Sequence, residues 1–179
     1  MCSRLYFVML LVAVAKFPLE AGCRFEFTNV NCTSFDKKFG EFEYCFLKSV
    51  NRSYKYLSAK LQLYQLPITK ILINLVMWKR YNGYKPFLYN ITVDFCKFIN
   101  NRKSNPVANF VFESYQSFSN LNHSCPFNHD LIMDKLSIEI MNHRMTKILP
   151  FPEGDYLFET TWFRSRARTF VIKIYGTLS

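Results

Sequence analysis

The stretch YKYLSAKLQLY, residues 54–64, decides the fold class of this chain. Aliphatic residues occupy every second position of its second half, and polar residues lie between them. The aliphatic positions are Leu57, Ala59, Leu61 and Leu63. Successive side chains of a β-strand point to opposite faces of the sheet. The stretch therefore predicts a strand with one face packed and one face in water.

The same two-residue period recurs on both sides of this stretch. The predicted strands begin near Phe25 and Phe42 and also cover residues 91–95, 156–163 and 170–178. Residues 131–140 have mixed polarity and are interpreted as a further strand. Residues 71–78 are apolar except for Asn74, which is typical of a strand that is buried on both faces or lines a cavity. Seven or eight short strands predict a mainly β fold, an antiparallel β-sandwich.

One segment follows a helical period instead. Asn105 followed by Pro106 is a helix start, and apolar residues then fall on one side at helical spacing. These residues are Val107, Ala108, Phe110, Val111, Tyr115 and Phe118. We expect one short helix, either packed on the sheet as a surface helix or placed as a lid over a cavity, with Cys96 and Cys125 on its two sides.

The first residues predict a signal peptide. Arg4 precedes an apolar run over residues 5–15, which is shorter than the ~20 residues that a membrane-spanning helix needs. Cleavage is expected after Ala15, or as late as residue 22. Residues 23–179 are then expected to form a single domain of a secreted, extracellular protein without a transmembrane segment.

N-glycosylation sequons agree with the secretory pathway. They lie at Asn31, Asn51, Asn90 and Asn122. Four such tripeptides beside a signal peptide predict a glycoprotein.

The number of cysteines predicts disulfide bonds. Cleavage leaves five, an odd number, so we expect two disulfides and one leftover thiol, for which Cys23 is the candidate, either free or paired between chains. The other four permit three connectivities, among which the sequence alone does not choose. We favour Cys32–Cys45, which closes a hairpin-sized loop, together with Cys96–Cys125.

The charge indicates the class of partner. The formal net charge is +10 at pH 7, and a basic secreted surface favours anionic partners such as lipid headgroups or an acidic surface. Nucleic acid is not expected in that compartment. Arg164, Arg166 and Arg168 would attract an anionic headgroup if they surround the mouth of a pocket.

Common catalytic motifs are absent from the sequence. It has no Gly-x-Ser-x-Gly elbow, no His-Glu-x-x-His motif and, among five glycines, no phosphate-binding loop. His123, His129 and His143 are scattered, and no CxxC pair accompanies them. We expect no metal, no cofactor and no enzyme activity.

Aromatic residues suggest a ligand site. The chain has 19 Phe and 11 Tyr, enough for a large core or an apolar cavity. The residues predicted to face inward and bind a ligand are Phe46, Leu63, Ile73, Trp78, Phe95, Phe110, Tyr156, Phe158 and Phe170. A filled core needs the same residues, so the pattern does not choose between core and cavity.

Several blocks in order resemble one protein family. They are FEYC at residues 42–45, NGYKPFLYN at 82–90, NHSCP at 122–126 and PEGDY at 152–156. Together they resemble a large insect family of small secreted proteins that carries a domain of unknown function and is similar to the ML (MD-2-related lipid-recognition) superfamily. The resemblance covers residues 25–179, and it transfers fold better than function.

This resemblance implies an immunoglobulin-like sandwich whose two sheets admit a hydrophobic ligand. It also implies that the family's four shared cysteines are matched by Cys32, Cys45, Cys96 and Cys125. The expected function is binding of a lipid, fatty acid or hydrocarbon pheromone, with a chemosensory role and a membrane receptor as further expectations. The alternative is a secreted protein- or glycan-interaction module with a filled core and no ligand cavity.

Overall fold

The computed structural model describes residues 23–51 and 54–179, so the predicted signal peptide lies outside the described residues. The described residues form eight strands and three α-helices. The strands are β1 (Phe25–Ser34), β2 (Gly40–Ser49), β3 (Lys55–Leu63), β4 (Leu72–Tyr81), β5 (Gly83–Asp94), β6 (Leu131–Ser137), β7 (Gly154–Arg164) and β8 (Ala167–Leu178). The helices are α1 (Phe95–Asn100), α2 (Pro106–Tyr115) and α3 (Ile138–His143).

The strands form two antiparallel sheets. The larger sheet has the order β1-β8-β7-β4-β5, and the smaller sheet has the order β2-β3-β6. Side chains of both sheets meet in the same hydrophobic clusters, where Leu61 and Leu63 of β3 join Ile73 of β4 and Phe170 of β8. The prediction of a mainly β, two-sheet fold is confirmed.

Strand β3 shows how the alternating sequence produces this packing. Leu57 is fully buried, and the other three aliphatic positions are also buried. Ser58 departs from the prediction, since it is buried although it belongs to the polar face. Its hydroxyl donates to Asp134 Oδ1 at 3.3 Å and accepts from the amide of Lys135 at 2.9 Å. The neighbouring strand β6 thus supplies the hydrogen bonds that water was expected to supply.

Helix α2 begins where the sequence predicts. The side chain of Asn105 accepts from the amide of Ala108 at 3.0 Å, and Pro106 takes the first helical position, where its missing N–H costs nothing. The prediction of a single helix is nevertheless wrong, because α1 and α3 are also present. None of the helices in the described part of the chain is long and apolar enough to span a membrane.

Helix α3 replaces the end of a predicted strand. The strand expected over residues 131–140 ends at Ser137, and a π-helical turn over Arg144–Ile148 continues the helix. Ile138 and Met145 are buried in the second hydrophobic cluster, with Met141 packed against it. Intervals of three and four residues place side chains on one helical face, so here the helical period prevails over alternation.

Both predicted disulfides are confirmed. Cys32–Cys45 joins β1 of the larger sheet to β2 of the smaller sheet, with a Cα–Cα distance of 6.2 Å. Cys96–Cys125 joins α1 to the segment before β6, with a Cα–Cα distance of 5.5 Å. None of the cysteines in the described residues carries a free thiol, so the leftover thiol expected at Cys23 is not found.

Candidate ligand cavity

A cavity of about 150 Å³ lies between the inner faces of the two sheets. Strand β3 contributes Leu61, while Ile73, Phe158 and Ile172 contribute from the larger sheet. Helix α2 adds Phe110, and α3 and its π-helical turn add further residues. The cavity therefore reaches from the sheet interior to the layer of helices.

Strand β8 shows that the packing loosens along the strand. Phe170 is fully buried, stacked on Phe39 with the ring centroids 5.5 Å apart. Ile172 and Ile174 follow at the next two inward positions, line the cavity and are only partly buried. Tightly packed interiors leave few voids larger than a water molecule, so this part of the sandwich differs from an ordinary core.

Most polar groups in the wall are already hydrogen-bonded. Ser114 Oγ donates to the carbonyl of Phe110 at 3.1 Å, and Ser119 Oγ donates to that of Gln116 at 3.4 Å. Thr160 Oγ1 accepts from the indole of Trp162 at 3.3 Å. The wall thus presents a mostly apolar surface to anything inside it.

Two tyrosines also line the cavity and stay uncharged at neutral pH. Burial raises the pKa of the Tyr89 and Tyr115 hydroxyls above the usual value of about 10. They add aromatic surface and no charge.

Arg144 is the charged residue among the described residues that line the cavity. Its Nη2 donates to Glu113 Oε2 at 2.9 Å, and its guanidinium lies 5.0 Å from the ring centroid of Phe110. The Arg144 side chain is 15% exposed and that of Glu113 is 40% exposed, so the pair reaches from the cavity wall to the surface. Hydrogen bonds, first from Arg144 and then from Asn109, hold the pKa of Glu113 below its usual range.

Residues 73–158 match the model of DUF1091, a protein family of unknown function. The DUF1091 match covers slightly less than half of the chain, from within β4 to within β7. It includes all three helices and Arg144, whereas β3 and β8 supply their part of the cavity wall from outside the match. No curated protein matches the chain.

The nine predicted ligand residues separate into three groups. Ile73, Phe110 and Phe158 line the cavity. The next group does not line it and is buried in the packed clusters, namely Leu63, Phe95, Tyr156 and Phe170. Phe46 and Trp78 lie elsewhere and do not have the inward orientation that was expected.

Phe46 is displaced by a β-bulge. The register of β2 against β3 shifts between Phe42 and Tyr44, and such a shift moves every later side chain to the opposite face. Phe42 consequently packs on Phe170 inside the fold, whereas Phe46 is 41% exposed and contacts Tyr44 and Tyr56.

Trp78 lies on the outer face because β4 does alternate. Ile73 and Met77 are core residues at odd positions, which places Trp78 on the opposite face. Its indole Nε1 is buried and has no hydrogen-bond partner among the described residues. The continuous apolar run had concealed this alternation, since both faces of β4 are apolar.

Several cavity residues escaped the sequence prediction. They are chiefly Tyr89, Tyr115, Met133, Met141, Arg144 and Met145. For Met141, Arg144 and Met145 the signal was a helical period over residues 138–145. The mixed polarity of this segment was interpreted as a strand, so the period was missed.

The predicted basic cluster does not form the mouth of the cavity. Arg164 lies 4.5 Å from the ring centroid of Phe39, and Arg168 lies 3.9 Å from that of Phe35. Neither they nor Arg166 belong to the cavity wall. Arg144, which the sequence did not single out, is the basic residue at that wall.

Two of the histidines expected to be scattered lie together. The Nε2 atoms of His123 and His129 are 2.8 Å apart, and the ring of His123 contacts Phe127 with the centroids 4.8 Å apart. Within residues 23–51 and 54–179, no group of three or more His, Cys, Asp or Glu side chains could hold a metal ion.

All four sequon asparagines are exposed. Asn31 lies on β1, Asn90 on β5, and Asn51 and Asn122 lie in connecting segments. Their glycosylation stays a prediction that their exposure permits.

Proposed function

We propose that this chain is a secreted binding protein for a small hydrophobic ligand, which it holds between the two sheets of an ML-like, immunoglobulin-type sandwich. The apolar cavity of about 150 Å³ between the sheets carries the proposal. The resemblance to lipid-recognition proteins supports it independently. An apolar ligand in such a cavity is stabilised by the removal of its surface from water.

The size of the cavity limits the ligand that it can hold unless the two sheets move apart. A dry cavity of roughly 150 Å³ accepts a molecule such as benzene, whereas drug-sized ligands occupy about 300–1,000 Å³. A fatty acyl chain or a sterol therefore requires the sheets to separate further.

The topology favours opening at one edge. Cys32–Cys45 fastens the sheets together where β1 and β2 are their edge strands. Strands β5 and β6 are the opposite edges, and the helices α1 and α2 connect them along the chain. Cys96–Cys125 joins α1 to the segment before β6 on that side, so separation there keeps this link and moves helix α2, which lies between the two cysteines in the chain. We therefore assign the entrance to the β5–β6 edge at α2.

Disulfides and exposed sequons support an extracellular location. Disulfides persist in oxidising compartments, and the cystines Cys32–Cys45 and Cys96–Cys125 each connect two different elements of the fold. A chemosensory role in insects and a receptor partner belong to the proposal through the family resemblance alone.

Native mass spectrometry of protein secreted from insect cells tests the proposal, with solvent extraction of the same sample. We expect a hydrophobic molecule to co-purify or an added apolar probe to bind. Failure of both would contradict the proposal.

The outer face of the smaller sheet supports a second candidate, a protein- or glycan-interaction module. Tyr44, Phe46, Tyr56 and Tyr54 form a row there in that order, with successive ring centroids 5.7, 6.4 and 6.1 Å apart. Phe46 is exposed and the three tyrosines are partly exposed, and aromatic side chains are enriched in recognition surfaces. Under this alternative, a Phe46→Ser, Tyr56→Ser variant loses binding on a glycan array or to a captured receptor, whereas cavity variants retain it.

A further inference from the structure

Arg144 places a positive charge and hydrogen-bond donors at the wall of an otherwise mostly apolar cavity. The guanidinium is nearly buried, stacked on Phe110, and one of its nitrogens donates to Glu113. A guanidinium has five N–H donors in a planar fork that matches a carboxylate. A single hydrogen bond to Glu113 leaves much of that fork for another acceptor.

We propose that the ligand is an alkyl chain that ends in a carboxylate, and that this carboxylate binds Arg144 while the chain fills the cavity. The inference rests on the proposed function and specifies its ligand class. Ser114 and Ser119 donate their hydroxyl protons to helix carbonyls, and Tyr89 and Tyr115 are uncharged. Arg144 is therefore the group that distinguishes a carboxylate from a neutral head group. A bidentate carboxylate–guanidinium pair is among the stronger hydrogen-bonded contacts in proteins.

Glu113 can release Arg144 at little cost. Its carboxylate also accepts from Asn109 Nδ2 at 2.8 Å and is 40% exposed, so it keeps a partner and water when Arg144 turns to a ligand. Water can solvate the exposed Glu113 carboxylate, and the ligand's carboxylate replaces it as the partner of the nearly buried Arg144. In the ligand-free protein Glu113 thus competes with the ligand's carboxylate for one donor of the Arg144 guanidinium.

This exchange also orients the ligand. Glu113 belongs to α2 and Arg144 begins the π-helical turn after α3, so the pair spans the seam between the two helical segments. The head group lies at that seam, and the alkyl chain points between the sheets toward Ile172 and Phe158.

Calorimetric titration with octanoate and with octanol at neutral pH tests the inference, because the two ligands share a chain and differ in head group. We expect wild-type protein to bind octanoate at least about tenfold more tightly than octanol, as charge-assisted hydrogen bonds require. Arg144→Gln should reduce this ratio to about one, Arg144→Lys should retain part of it, and Glu113→Gln should increase it.

Arg102→Gln is the matched control. Arg102 also stacks on a ring of α2, with its Cζ 4.6 Å from the centroid of Phe112, but it does not line the cavity. Its variant should keep the wild-type ratio.

Equal affinity of wild-type protein for both ligands, or an equal loss in the Arg102 and Arg144 variants, would overturn the inference and leave the proposed function intact. Binding of neither ligand would overturn both. If Arg144→Gln does not fold, Glu113→Gln tests the inference instead, because removal of the competing carboxylate should increase the preference for octanoate over octanol.

Discussion

The ring of Phe25 occupies the space into which a side chain at Gly176 would project. A Cβ on Gly176 would lie 2.5 Å from Cε2 of Phe25 and 2.9 Å from the carbonyl oxygen of Glu26. Phe25 is fully buried and packs edge-to-face on Phe27 and Phe158. A β-bulge accompanies this close approach, since β1 shifts register just beyond Phe27, the partner of Gly176.

Gly176→Ala should therefore destabilise the protein by about 1–3 kcal/mol, because the methyl group overpacks a closed aromatic cluster. Urea denaturation measures the change. A second substitution, Phe25→Leu, should recover part of the loss in the Gly176→Ala background, although it is destabilising alone. Additive losses in the double variant would show that the two residues do not compete for space.

Two alanines distinguish the cavity from the packed core by stability alone. Ala59 lines the cavity, whereas Ala108 is buried in α2 and does not. Ala59→Leu should leave the free energy of unfolding unchanged or raise it by roughly 0.5–2 kcal/mol, as cavity-filling substitutions do. Ala108→Leu should lower it by about 1–3 kcal/mol. Thermal and urea unfolding measure both variants. Equal destabilisation of Ala59→Leu and Ala108→Leu would argue against the cavity.

The two disulfides should differ in their contribution to stability. Cys96–Cys125 closes 29 residues and Cys32–Cys45 closes 13. On the chain-entropy model these loops correspond to about 4 and about 3 kcal/mol at 25 °C. Denaturation of the Cys96→Ser, Cys125→Ser and Cys32→Ser, Cys45→Ser variants compares them. A markedly larger loss from the shorter loop would mean that native contacts, and not loop entropy, dominate.

The Glu113–Arg144 pair predicts a small acid-dependent loss of stability. Because the pKa of Glu113 is lowered in the folded protein, its contribution is present above the unfolded-state pKa of about 4.3 and is lost as the pH falls through the folded value. The stability difference between wild type and Glu113→Gln should be about 0.2–1 kcal/mol at neutral pH. This stability difference should disappear at a pH below the folded-state pKa of Glu113.

Glu139→Gln is the control for this titration, since Glu139 forms no salt bridge with the described residues. Urea denaturation across the acidic range provides the measurement for both variants. A pH-independent difference for Glu113→Gln would contradict the ionic origin of the effect.

Local patterns in the sequence were sufficient for most of the fold. The alternation in β3, the Asn105-Pro106 helix start and the link between Cys32 and Cys45 each depend on residues that are 13 or fewer positions apart, and all three are confirmed. The same patterns fail at Phe46, where a bulge shifts the register, and at Ile138, where packing in the second cluster selects a helix.

The cavity could be predicted only in part. Ile73, Phe110 and Phe158 are apolar at inward positions and line the cavity. The sequence predicts that they face inward, but it does not distinguish a cavity wall from a filled core. The distinction depends on the spacing between two sheets, which no local period encodes. The Arg144–Glu113 contact joins residues 31 positions apart, and nothing in either local sequence indicates that they meet.

Binding of octanol by wild-type protein, Ala59→Leu and Ala167→Leu tests the ligand cavity most directly. Calorimetry at several temperatures should show wild-type binding with a negative heat-capacity change, the mark of apolar burial. Ala59→Leu should weaken binding at least about tenfold, because the leucine occupies the ligand's volume. Ala167→Leu, the same change at an exposed strand end, should bind as wild type does. Absence of octanol binding to wild-type protein, or undiminished binding to folded Ala59→Leu, would contradict the ligand cavity.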